Sequence, residues 1–205
     1  SPPMGRYDPS SLHGLGPMVS LAKRFILAWV VFWLADVAVA QSADRLAVTE
    51  ADDGYGVSVP VSRLELLVPR GELVFKPLDI GGSTANPRYF HFESASGAVL
   101  SGWFEPSSRY RGAEVVWNGD SAAWRQRNLP APADVSFERR GQWDAVFYHL
   151  PLPGGSSAHV RAHWVQSGTW IDVHLSVTGK EPYAINRKAV EALLQSLKVR
   201  EKSTP

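Results

Sequence analysis

The sequence predicts an α+β domain: an antiparallel sheet meander with a C-terminal amphipathic helix packed on one face and a short mid-chain helix. Three observations carry this prediction. Short alternating runs, separated by Pro and Gly, recur from residue 54 onward. Ser167-Gly168 stands between two such runs as a two-residue hairpin turn. Val190, Leu193, Leu194 and Leu197 fall at i, i+3, i+4 and i+7, which gathers them into one helical stripe.

The elements follow in order. Tyr55–Val59 and Leu64–Val68 read as strands punctuated by Pro60 and Pro69-Arg70-Gly71, and Leu73-Val74-Phe75 continues that edge. Gly81 to Pro87 is a long loop. Arg88–Glu93 and Ala98–Glu105 are strands joined by a Ser96-Gly97 turn. Between Pro106 and Trp124, Tyr110, Ala113, Trp117 and Trp124 recur near helical spacing after a possible Ser107 or Ser108 cap. This predicts one short helix, broken at Gly119. Asp134–Arg139, Trp143–Leu150, Ala158–Gln166 and Thr169–Val177 form the four-strand meander. The closing helix runs from about Asn186 to Lys198, with Asn186 as its cap and Lys198 and Arg200 suited to its negative end.

The hairpin turn also sets a register. With Gln166 opposite Thr169, Trp164 faces Ile171 and His163 faces Asp172. Ala158, Val160, Ala162 and Trp164 then share a dry face with Ile171, Val173, Leu175 and Val177, which the closing helix covers. His159, Arg161 and His163 share the other face with Asp172, His174 and Ser176, and the expectation is that this face is wet.

Upstream of the domain, Met18 to Ala40 reads as a signal peptide. Lys23 and Arg24 supply the positive region, Phe25 to Leu34 the apolar region, and Ala38 and Ala40 the small residues before a cleavage site at Gln41. Asp36 interrupts the apolar run, which is shorter than a membrane span requires, so cleavage is expected over a single N-terminal anchor. The organisation is then a leader without fold at 1–17, the signal peptide at 18–40, a flexible linker at 41–53, the domain at 54–199 and a disordered tail at 200–205. The expected location is periplasmic or secreted.

After residue 40 the chain carries 18 basic and 18 acidic side chains and no Cys. Net neutrality without a basic run argues against nucleic acid as a partner and, once the signal peptide is removed, against a membrane surface. The lack of thiols excludes a disulfide framework, a Cys nucleophile and thiolate metal sites.

Candidate chemistry is sparse. Three imidazoles and a carboxylate on adjacent strands are the residue types that coordinate zinc or copper, so His159, His163, Asp172 and His174 form a candidate metal set. The competing reading is the ordinary polar outer face of an antiparallel sheet. His149 lies on the preceding strand, and the irregular Pro151 to Ser156 stretch leaves its face open. The Gly-rich segments at Gly81-Gly82 and Gly154-Gly155 precede no helix and read as turns. No Ser lies in a nucleophile elbow, so no catalytic residue is assigned. Trp103, Trp117 and Trp124 belong to the core or line an apolar groove, and Arg139-Arg140 is a charged surface turn or a partner contact.

The order of elements, the strand end Trp103-Phe104-Glu105-Pro106 and the closing Leu194-Gln195-Ser196-Leu197-Lys198-Val199 resemble the PsbP/Mog1/DcrB-like superfamily over roughly residues 55–199. The resemblance implies a small non-catalytic domain that supports assembly or binds partners, with no catalytic residues to carry over. The expected function is therefore an exported binding or assembly module acting through protein contacts. The alternative is a metal- or small-ligand-binding protein using the His/Asp face.

Overall fold

The computed structural model describes residues 45–77, 87–127 and 130–202. The signal-peptide reading, most of the Gly81 to Pro87 loop and the last three residues lie outside this set.

Among the described residues, eleven strands form two antiparallel sheets. The smaller sheet has the order β1-β2-β3-β11 and contains β1 (Ala47–Ala51), β2 (Gly54–Ser58), β3 (Leu64–Pro69) and β11 (Lys198–Glu201). The larger has the order β4-β5-β6-β10-β9-β8-β7. Its strands are β4 (Val74–Phe75), β5 (Tyr89–Glu93), β6 (Ala98–Pro106), β7 (Ala133–Arg140), β8 (Trp143–Leu152), β9 (Gly155–Gln166) and β10 (Thr169–Gly179). The meander from β7 to β10 pairs each strand with the next, and β10 then joins β6. Helix α1 (Ala113–Gln126) follows a single 3-10 turn at Ser107–Arg109, and α2 (Tyr183–Ser196) precedes β11.

The Ser167-Gly168 turn has φ of 48° and 78° at its two residues, the left-handed pair that matches the twist of a hairpin. It places Trp164 against Ile171 and His163 against Asp172. Ala158, Val160, Ala162, Ile171, Val173 and Leu175 are fully buried, and Trp164 and Val177 pack against them half-buried. Helix α2 docks on β9 and β10 through Val190 and Leu194. Val57, Leu64, Leu66 and Val68 of the smaller sheet join the same core, beside Phe90, Phe92 and Leu100. A Cβ on Gly102 would strike the Asp172 carbonyl and come 2.7 Å from the Phe90 ring, so only Gly lets β6, β10 and that ring close together.

Several expectations are corrected. The linker at 41–53 contains a strand, because Val48 pairs with Val57 and packs against the core while its neighbours stay exposed. One half-buried residue in five leaves no alternation to read. Val74-Phe75 pairs with Glu93 and Phe92 in the larger sheet and does not extend the β3 edge. Ser107 and Ser108 lie in the 3-10 turn rather than capping α1, whose N-cap is Gly112 at φ 102°.

Helix α1 runs unbroken through Gly119, where an added Cβ would meet nothing within 4 Å. An exposed helical Gly costs only about 1 kcal/mol relative to Ala, too little to break the helix. Helix α2 starts three residues earlier than expected, after Pro182, whose fixed φ suits a helix start. Asn186 is thus inside the helix, donating through Nδ2 to Ser156 Oγ at 2.7 Å and to the Glu181 carbonyl at 3.2 Å. The helix ends at Ser196 because Leu197 turns extended, and Lys198–Glu201 pairs with β3 instead of forming a helix end and a disordered tail. Arg200 meets Glu65 at 2.6 Å in that pairing rather than the helix dipole.

Candidate functional site

The polar face of β9 and β10 is the main concentration of titratable side chains, and it is not wet. His163 and Asp172 are each 1% exposed. The register extends this face into rows across the sheet. Tyr89, Trp103, Asp172, His163, Asp144 and Arg139 form one row, and His91, Ser101, His174, Arg161, Val146 and Phe137 the next. A third carries Ser176, His159 and Tyr148.

The cover comes from the mid-chain segment. Trp117 and Trp124 of α1 pack on Tyr148 with ring centroids 4.9 and 5.7 Å away. Asp120, between them on the same helical face, pairs with Arg161. Tyr110 lies over His163 and Trp170, both at 5.4 Å, and donates its hydroxyl to Asp144 at 3.1 Å. Burial, then the Asp144 charge, pushes the Tyr110 hydroxyl well above its ordinary value.

Two networks occupy the covered face. In the first, Arg161 donates from Nε and Nη2 to the two Asp172 oxygens at 3.1 and 2.7 Å, a bidentate pair, while its plane lies 5.2 Å from the Trp103 ring. Burial alone would push the Asp172 carboxyl up, but the hydrogen bonds from His163 and Arg161 hold it below its usual range. His163 Nδ1 is 3.3 Å from Asp172 Oδ1 and 3.2 Å from the Trp170 indole nitrogen. One ring nitrogen cannot donate to the first and accept from the second. An ionised carboxylate opposite a lone pair is the costlier choice, so the proton belongs on Nδ1 facing Asp172. His163 Nε2 is buried and has no hydrogen-bond partner among the described residues.

In the second network, Tyr148, His159 and His174 lie with their rings within 8° of parallel. Tyr148 Oη is 2.9 Å from His174 Nε2, which is 3.1 Å from His159 Nδ1, and His159 Nε2 is 2.7 Å from Ser157 Oγ. Ser157 in turn meets Thr178 Oγ1 at 2.6 Å. Burial, reinforced by the neighbouring His174, lowers the His159 pKa to about 3. Burial and the Arg161 charge lower that of His174 to about 4, against the opposing pull of Asp172. Both imidazoles are therefore neutral at pH 7, and because His174 Nε2 carries either one proton or one lone pair, it bonds one of Tyr148 Oη and His159 Nδ1 at a time. Ser157 and His159 are within reach of one another, but an imidazole held near pKa 3 is a weak base and its other nitrogen meets an imidazole, not a carboxylate.

The four candidate metal residues are thus divided. Asp172 and His163 serve Arg161 and each other, while His159 and His174 serve Tyr148 and Ser157. Among the described residues no group of three or more His, Asp or Glu is placed to hold a metal. His149 falls on the opposite face, stacked on Tyr183 of α2 at 4.4 Å. Sequence reasoning missed Tyr110, Asp120 and Tyr148 as members of the site. The spacing of Trp117, Asp120 and Trp124 at i, i+3 and i+7 was the available signal for the covering helix face.

Of two concavities of the described surface, one lies away from this face and one at its β7–β8 end, where Phe137, Arg139 and Asp144 line it. One, of about 320 Å³, sits over the outer side of the smaller sheet beside Gly56, Glu65 and Arg200. The other, of about 410 Å³, lies between the first turn of α1 and the β7–β8 edge. No helix of the described residues is long and apolar enough to cross a membrane.

The chain matches no family model and no curated protein. It is similar to a crystal structure from Bacteroides thetaiotaomicron VPI-5482 with a TM-score of 0.37 and 11% identity, over 68% of this chain and 46% of that one. This chain therefore matches less than half the length of that protein.

Proposed function

We propose that this protein is an exported, non-catalytic binding or assembly module that acts through protein contacts. What supports the reading is how the titratable side chains are used. Those of the His/Asp face are covered by α1 and bonded chiefly to one another, so they serve packing and specificity rather than a substrate. The order of elements resembling the PsbP/Mog1/DcrB-like superfamily points the same way.

The test is crosslinking of the full chain in its own compartment, followed by mass spectrometry of the linked peptides and of the chain's N-terminus. The expected result is a defined linked species, unchanged in His159→Gln, on a chain that starts at Gln41. A monomer with no linked partner overturns the binding reading, and a chain retained in the cytoplasm overturns export.

A further inference from the structure

We propose that β7 pairs antiparallel with β7 of a second copy of this chain, about a two-fold axis through Phe137. The inference rests on the binding-module reading and names the partner. β7 is a terminal strand of the larger sheet and is eight residues long, whereas β4 at the other end has two. Val135 and Phe137 on it are 39% and 45% exposed. Val115, from the first turn of α1, is 56% exposed and lines the 410 Å³ groove together with Phe137 and Arg139.

Symmetry limits how two such strands can meet. A two-fold axis relating antiparallel strands stands perpendicular to the sheet, so one residue near the axis faces its own copy and facing numbers differ evenly around it. Centring on Glu138 opposes two carboxylates. Centring on Ser136 sets Asp134 against the Glu138 of the second copy. Centring on Phe137 stacks the two Phe rings, sets Ser136 against Glu138 and sets Asp134 against Arg140, with no like charges opposed. The side chains of Asp134 and Arg140 are 65% and 39% exposed; Arg140 also meets Glu138 and Glu191, and Asp134 lies 3.5 Å from His149, so pairing across the axis exchanges these partly exposed contacts. The register shift between Ala133 and Ser136 ends the regular ladder near Asp134, a gap the long Arg140 side chain spans. The same bulge and the paired arginines discourage indiscriminate edge pairing and so favour the one charge-matched register.

The described chain has no free cysteine and the sequence has none, so a single introduced thiol is a clean probe. Facing residues in an antiparallel pair lie about 4.5–5.5 Å apart at Cα, within disulfide range. Full-length Phe137→Cys should form a covalent dimer on mild oxidation, and Leu152→Cys, exposed at 40%, should not. By sedimentation the native chain should be a dimer, Arg140→Asp a monomer, and Arg140→Asp with Asp134→Arg a dimer again, all with native circular dichroism. Equal crosslinking at 137 and 152, or a monomeric native chain, overturns the proposal. A monomer that crosslinks through position 137 to a different protein overturns the second copy but leaves the binding-module reading standing. The absence of any linked species removes both.

Discussion

Asp172 and Arg161 meet diagonally across β10 and β9 in a bidentate pair that is sealed beneath α1, with Asp172 1% exposed. A buried carboxylate left without its partner is uncompensated charge, and breaking such a pair costs about 3–5 kcal/mol. Arg161→Met should lose stability in that range by urea denaturation. Arg161→Met combined with Asp172→Leu should recover much of the loss, because apolar packing replaces the pair without stranding a charge.

Asp120 is the ionic tether of α1 to the sheet, and no residue of that helix is fully buried. The side chain of Asp120 is 37% exposed, so the pair is screened and worth about 1 kcal/mol at most. Asp120→Asn should accelerate amide exchange in α1 while leaving α2 unchanged. Equal acceleration in both helices would mean that α1 does not open on its own.

Acid should weaken the fold from about pH 6.5 downward. His159 and His174 have folded pKa values of about 3 and about 4. The unfolded chain takes up protons below about pH 6.5 that the folded face refuses. Their contribution is complete above pH 6.5 and is lost as pH falls toward 4, with a slope of up to about 1.4 kcal/mol per pH unit for each histidine. Asp172, whose folded pKa is lowered, adds a further loss at lower pH. His159→Asn with His174→Gln should flatten the stability profile between pH 6.5 and 4.5 in chemical denaturation.

Zinc or copper should not raise the melting temperature. A metal at a hundredfold excess over its Kd would add about 2.7 kcal/mol to a site that binds only the folded chain. Both imidazole nitrogens of His159, and Nε2 of His174, are already engaged within the network. A clear shift, lost in His163→Ala, would support the metal reading.

Leu194 is the centre of the α2 stripe and 1% exposed. Leu194→Ala should cost about 2–5 kcal/mol through lost burial and the cavity left behind, measured by thermal unfolding, and Leu194→Asp should prevent folding.

Local chemistry made much of this legible. Ser167-Gly168 dictated a left-handed turn, the turn dictated the register, and alternation dictated which side chains share a face. The i, i+3, i+4 stripe dictated the docking side of α2, although Pro182 rather than Asn186 opens it. β1 was illegible because Val48 alone anchors it, and β11 because its pairing with β3 depends on residues some 130 positions away.

Alternation by itself determined that His159, His163, Asp172 and His174 stand together on the side opposite Ile171. Only the tertiary structure decided that this side is dry. Whether a polar face meets water depends on what folds over it, here Tyr110, Trp117 and Trp124, and on whether its groups find partners once water is gone. Arg161 and Asp120 supply those partners across the interface, a pairing set by the placement of one helix and not by any spacing along the chain.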